Sequence, residues 1–235
     1  MKKIFFIISV IIGLSATLAA QDGRRHTEDR NVGVFYGVKA TIGIEVKIIQ
    51  SPRHSVSVEV YDPQFLDRIE TYVEKGMLYV KYSFKINESI HGRNIVYVHA
   101  PELREISAVT GASVEIEDTF EGDHLKIMAG TGSDISGKIK FKSLDLVSKL
   151  GSDITLTGKA DVCIALATGG STIEIASLKC REVTATAKGG SDIEVYASDK
   201  VDLKSNGGSD ITYYGEPKVR NIRSSVSSDI SRGRN

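Results

Sequence analysis

Five aspartates recur through the C-terminal half of the chain at near-constant spacing: Asp134, Asp153, Asp192, Asp210 and Asp229. Thr172 takes the intermediate place and Ser113 begins the series. If successive copies stack as neighbouring strands, their carboxylates stand about 4.8 Å apart. They then repel by roughly 0.9 kcal/mol in water and roughly 3.5 kcal/mol at an effective dielectric of 20. Three kinds of chemistry suit such a row. The plainest is a turn, because Asp after Gly-Ser closes an Asx-type turn on its own backbone and keeps an exposed strand from aggregating. The second is calcium, held by neighbouring carboxylates and turn carbonyls, although the GGxGxD spacing of calcium-binding β-rolls is missing. The third is a pair of acids for polysaccharide cleavage, about 5 to 10 Å apart. Any such pair here is simply two rungs of a ladder, so no catalytic residue, cofactor or metal is assigned.

Tyrosines are the other candidates. Tyr72, Tyr79 and Tyr82 cluster in the N-terminal part, Tyr213 and Tyr214 lie near the end, and the chain has no Trp. Sugars stack their apolar faces on such rings, and the competing role is packing along alternating strands. His26, His54, His91, His99 and His124 are scattered without HExxH spacing, which points to structural histidines, and neither a GxSxG elbow nor a P-loop occurs. Cys163 falls in an apolar column of the repeat and Cys180 three residues outside it, so Cys163 reads as a buried filler. A Cys163–Cys180 disulfide is not expected, although export would permit one.

The elements that position these residues come from one repeated phrase. It reads GASVEI from Gly111, GSDISG from Gly132, GSDITL from Gly151, GSTIEI from Gly170, GSDIEV from Gly190, GSDITY from Gly208 and SSDISR from Ser227, in steps of 18 to 21 residues. A period near twenty means stacked coils. Before each phrase, apolar or small residues alternate, as in Leu125, Ile127, Ala129 and Val183, Ala185, Ala187; after it come runs such as Ile173, Ile175 and Ile193, Val195. Period two marks strands with one buried face, predicting two short strands per repeat joined at a glycine corner. The same column recurs in successive repeats, which stacked parallel coils require and a meander of hairpins does not. Small Ala and Ser between Ile and Leu predict a narrow interior filled by side chains.

Longer strands precede the repeats: 34–49 with Gly43 as a bulge, 55–61, 69–74, a Lys75-Gly76 turn into 77–82, and 94–99. Asp62 and Pro63 read as the N-cap and first residue of a short helical turn. The fold class is therefore all-β: a right-handed β-helix-like solenoid with coils of about 19–20 residues, preceded by a strand-rich N-terminal capping region. The divisions are 1–20 signal peptide, 21–31 flexible linker, 32–103 the strand-rich part of the same domain, 104–231 the repeat solenoid and 232–235 a tail.

Phe35-x-Gly37-Val38, the run Gly43 to Gln50, Val56-Ser57-Val58-Glu59, Leu78-Tyr79-Val80, Val98-x-Ala100-Pro101-x-Leu103 and the GSDI copies together resemble the head GIN domain of putative autotransporter adhesins. The resemblance spans about residues 33–231 and its motifs are structural. It implies a β-helix-like domain exported by bacteria of the Bacteroides type and called an adhesin, with no catalytic set to carry over.

The N-terminus gives the destination. Lys2 and Lys3, an apolar stretch from Ile4 to Leu18, and Ala19-Ala20 form a secretory signal peptide, shorter than a membrane span. Its removal leaves 28 basic against 30 acidic side chains, without the basic excess of a nucleic-acid binder. Arg220, Arg223, Arg232 and Arg234 form the one local basic bias, read as a solvated tail. The expectation is an exported protein, periplasmic, at the cell surface or extracellular, with no membrane span after signal cleavage. It would bind glycan or protein without catalysis. A polysaccharide hydrolase or lyase of the β-helix type, or a self-associating envelope module, is the alternative.

Overall fold

The computed structural model describes residues 25–83, 93–225 and 227–234, so the expected signal peptide and His91 lie outside the described residues. The strands run in the order β1 (His26–Arg30), β2 (Gly37–Thr41), β3 (Glu45–Gln50), β4 (Ser55–Val60), then β5 (Ile69–Glu74), β6 (Met77–Tyr82), β7 (Asn94–Ala100) and β8 (Glu105–Val109). The coils follow as β9 (Ser113–Gly130), β10 (Asp134–Lys149), β11 (Asp153–Thr168), β12 (Thr172–Lys188), β13 (Asp192–Asn206), β14 (Asp210–Tyr214), β15 (Val219–Ser224) and β16 (Asp229–Arg232). Among the described residues there is one 3-10 turn, Pro63–Arg68, capped by Asp62, whose carboxylate accepts from the Gln64 amide. The result is a β-solenoid of about seven turns behind a strand-rich N-terminal region.

The coils stack in parallel register because like residues meet at every step. Val46, Val114, Ile135, Ile154, Ile173, Ile193, Ile211 and Ile230 form one continuous column. Ile106, Ile127, Leu146, Ala165, Ala185 and Leu203 form another. Except for the half-buried Ile230, these side chains are buried, each Val, Ile or Leu contributing about 2 kcal/mol by leaving water. The interior is packed, as the alternation of small and large residues predicts. Each coil, however, is one bent strand of 15–18 residues from β9 to β13, where two short strands per repeat were expected. The parallel ladder carries on around the second bend, with register shifts such as that between Gly137 and Ile139.

The sharp corner does interrupt the strand. Two successive residues take positive φ there, for example Leu150 (57°) and Gly151 (67°) or Gly189 (67°) and Gly190 (72°). The second is Gly in each of these pairs, which spares the corner a second Cβ in the left-handed region.

The N-terminal region departs from the expected layout in three ways. Gly43 is a coil corner and no bulge: Ile42 and Gly43 both have positive φ, and their amides donate to Val109 and Thr110 of the next coil. Strands β2 and β3 are thus already a coil turn. The chain then lays β6 and β7 on the outer side of that turn before crossing to β8 and β9 on its inner side, since β2 pairs with both β6 and β8, and β3 with both β7 and β9. Finally, part of the expected flexible linker is ordered. His26–Arg30 is strand β1, antiparallel to β4, which is antiparallel to β7; β5 covers β6 in the same way. At the other end β16 runs one residue into the expected tail.

Candidate functional site

The structure brings the Asp row together and sets it apart from Tyr72 and Tyr79 on β5 and β6, while Tyr213 and Tyr214 share β14 with Asp210. Asp134 pairs in register with Asp153, Asp153 with Thr172, Thr172 with Asp192, Asp192 with Asp210 and Asp210 with Asp229, and every Asp in the row is exposed. Burial, and secondarily Asp153, raises the Asp134 carboxyl above its ordinary range. Among the described residues no three His, Cys, Asp or Glu side chains gather as a metal cluster. The expected Asx-type closure is made by the neighbouring serines instead. Ser133, Ser152, Ser171, Ser191 and Ser209 are buried, and their hydroxyls bond the backbone at the corner. Ser152 accepts from the Lys149 amide at 3.0 Å and donates to the Lys149 carbonyl at 2.8 Å, while Ser171 accepts from Thr168 at 3.0 Å and donates to Ser148 at 2.9 Å. A buried amide left unbonded costs about 1–3 kcal/mol, which explains why Ser recurs. The residue after it, Asp in every coil from β10 to β14 but β12, where it is Thr172, is the first outward residue of the coil.

Burial divides the tyrosines. Tyr82 and Tyr213 point into the core at 5% exposure, and burial raises the Tyr82 hydroxyl pKa. Strand parity turns them inward, so they are withdrawn as ligand contacts. Tyr214 stays half-buried on β14, remote in the strand order from Tyr72 and Tyr79. Those two face each other across the β5–β6 pair and stack, with centroids 5.0 Å apart and an interplanar angle of 9°. Lys81 lies over the Tyr72 ring at 5.3 Å and Lys39 over Tyr79 at 5.9 Å, cation–π contacts that hold the rings on the outer face.

Tyr72 also borders a cleft of about 560 Å³ that sequence reasoning missed, lined by Glu28, Asp29, Arg30, Asp67 and Glu70 among others. Arg30 is its fixed point: Nη1 meets Glu28 at 2.9 Å, Nη2 donates to the Leu66 carbonyl at 2.6 Å, and the buried Nε has no acceptor among the described residues. The Lys81 ammonium, 3.0 Å away, and then the Ser83 hydroxyl hold the Glu70 carboxyl below its usual range. A general acid for glycoside cleavage needs the opposite shift. The cleft thus offers hydrogen-bond acceptors and one aromatic wall, which suits binding of hydroxylated ligands. No sequence signal marks it, since β1 is exposed throughout its first four residues and has no apolar alternation to betray a strand.

Two further features are structural. Cys163 and Cys180 are both buried and free. A hydrogen bond donated to Cys180, then burial, pushes the Cys163 thiol up, so the two thiols lie together despite falling in different columns. His54 contacts the Phe35 carbonyl at 2.8 Å and His124 the Ser143 hydroxyl at 2.9 Å.

Comparison with known proteins agrees with this architecture. The profile of the family described as "Putative auto-transporter adhesin, head GIN domain" matches residues 34–217. A crystal structure titled a putative adhesin from Bacteroides fragilis superposes with a TM-score of 0.81 at 21% identity, covering 89% of this chain and 97% of that one. One titled a putative adhesin from Parabacteroides merdae gives 0.70 at 18% identity, with 91% and 98% covered. One titled a putative lipid binding protein from Parabacteroides distasonis gives 0.69 at 20% identity, again with 91% and 98% covered. No curated protein matches the chain. At these identities the structures share the fold. No helix among the described residues is long and apolar enough to cross a membrane.

Proposed function

This chain belongs to the head GIN domain family of auto-transporter adhesins, and from that membership we propose that it is an exported, non-enzymatic adhesin that binds glycan at its N-terminal cap. The observation that carries the reading is the Tyr72 ring, held by its stack on Tyr79, at the rim of the acidic cleft. The flat Tyr72 ring accepts the apolar face of a sugar, while Asp29, Asp67 and Glu70 accept hydrogen bonds from its hydroxyls. The coils offer less: their Asp row repeats one group along one line, which gives no basis for selecting a ligand. A buried lipid chain would have to part columns that are already filled.

The test is affinity electrophoresis of the purified protein through gels containing polysaccharides, with reducing ends assayed in the same gels. The proposal expects retardation without new reducing ends, weakened on the order of tenfold by Tyr72→Ala, a loss near 1.4 kcal/mol. Tyr72 is 39% exposed, so the variant should melt within about 1 kcal/mol of the parent. Retardation unaffected by Tyr72→Ala would move the site off the cap. New reducing ends would favour the polysaccharide-cleaving alternative.

A further inference from the structure

The solenoid has two unlike ends, and both leave strand edges unpaired. Among the described residues β15 pairs only with β13 and β16 only with β14, so their outer backbone groups face away from the stack. Arg220 and Ile222 continue the inward positions of Val201 and Leu203 in the last turn. They are nevertheless exposed, Ile222 at 42%, because no further coil covers them. The arginine cluster expected as a solvated tail is therefore the terminal rung: Arg220 and Arg223 lie on β15 and Arg232 on β16. Arg232 pairs with Glu216, whereas Arg220, Arg223 and Arg234 have no side-chain partner among the described residues.

The opposite end carries the complementary charge. There β1 pairs only with β4 and β5 only with β6. Asp29 on β1, Asp67 in the 3-10 turn and Glu74 on β5 have no side-chain partner among the described residues. Exposed strand edges of this kind readily add another strand. Tail against tail sets Arg220 and Arg223 against their own copies, and head against head does the same to the acids. Tail against head pairs opposite charges and covers Ile222.

We propose that copies of this chain associate head to tail, the β15–β16 end of one docking on the β1–β5 end of the next. Such a contact is heterologous: each added copy leaves a free end, so the product is a chain of varying length and no closed dimer. Glycan binding is not required, but the docked end covers Asp29 and Asp67 of the cleft, so a second copy and a glycan compete for it; light scattering without polysaccharide reads the contact alone.

Light scattering of the purified protein over rising concentration tests this at low salt, about 0.01 M, where charges act over about 30 Å. The mass should climb past that of a dimer without a plateau, and return to monomer near 1 M salt, where the range falls to about 3 Å. Arg220→Glu with Arg223→Glu should abolish the climb, as should Asp29→Lys with Glu74→Lys. Mixing the two variants should restore it, since the native head of one meets the native tail of the other and its acidic tail meets the other's basic head, so both junctions again pair opposite charges. The restored growth also shows that both variants are folded. A monomer at every concentration in low salt would overturn the proposal. So would a mass that stops at the dimer, or a mixture of the variants that stays monomeric while each retains the parent's melting temperature.

Discussion

The coils from β9 to β14 and the cap from β1 to β7 are built on the same inward columns, yet they handle polar groups in opposite ways. In the coils each corner repeats one solution, a Gly in the left-handed region and a buried Ser on the backbone, and the outward row follows from it. In the cap nothing repeats. Antiparallel strands close the stack, cations sit over tyrosines, and Arg30 ties β1 to the 3-10 turn through the Leu66 carbonyl. Repetition makes structure certain and leaves chemistry indistinct, because every rung offers what its neighbours offer. The singular contacts of the cap and of the two ends are where a specific partner can be chosen.

The largest expected effect separates glycines of the two regions. Gly158 sits at the second bend of β11 with φ of 115°, and a Cβ there would stand 2.0 Å from the Ile139 carbonyl oxygen of the preceding coil. Gly158→Ala should cost more than about 3 kcal/mol, because neither the conformation nor the close approach can relax without moving the ladder. Gly33→Ala, before β2, meets nothing within 4 Å and should stay within about 0.5 kcal/mol. Thermal or urea unfolding of the two variants measures the contrast. Equal losses would show that the coil backbone is no more constrained than the cap.

A serine pair sharpens the same difference. Ser152→Ala removes a buried hydroxyl that bonds the Lys149 amide and carbonyl and the Ser148 hydroxyl, and should cost about 1–3 kcal/mol. Ser57→Ala on the outer face of β4 should be near neutral. If Ser152→Ala unfolds at the parent's urea midpoint, then the hydroxyl column does not hold the corners.

These contrasts also explain what could be read from the chain. Ile135, Ile154, Ile173 and their column were legible because the period repeats, and so were the Lys75-Gly76 turn and the Asp62 cap. The coil turn of β2 and β3 was not, since Ile42-Gly43-Ile44 holds the corner geometry without the Ser and Asp that mark the other copies. Tyr82 and Tyr213 look like Tyr79 and Tyr214 in composition, and only strand parity in the folded sheet turns them inward. The acidic cleft draws on β1, the 3-10 turn and β5, and no spacing along the chain announces that they meet. Cys180 registers with Ala160 and Cys163 with Val183, so the strand register by itself does not announce that the two thiols meet around the bend.

The finest test uses two carboxylates of one column. Glu45 in the cap and Asp134 in the first GSDI repeat both register with Ser113. Arg93 donates to both Glu45 oxygens, at 2.8 Å and 2.5 Å, and holds this carboxyl below its ordinary range despite partial burial. Asp134 has no such cation and is shifted up, first by burial and then by Asp153. A lowered carboxyl stabilises the fold above its unfolded pKa, about 4.3, and that contribution is lost as pH falls through the folded value. A raised one has its favourable contribution below the unfolded pKa, about 3.9, and loses it as pH rises through the folded value. At pH 7, therefore, Glu45→Gln should lower the melting temperature and Asp134→Asn should raise it slightly. Below both pKa values each difference should vanish, because the parent side chains are then neutral as well. Shifts of the same sign at pH 7, or shifts that persist in acid, would mean that packing rather than charge distinguishes the cap from the coil at this column.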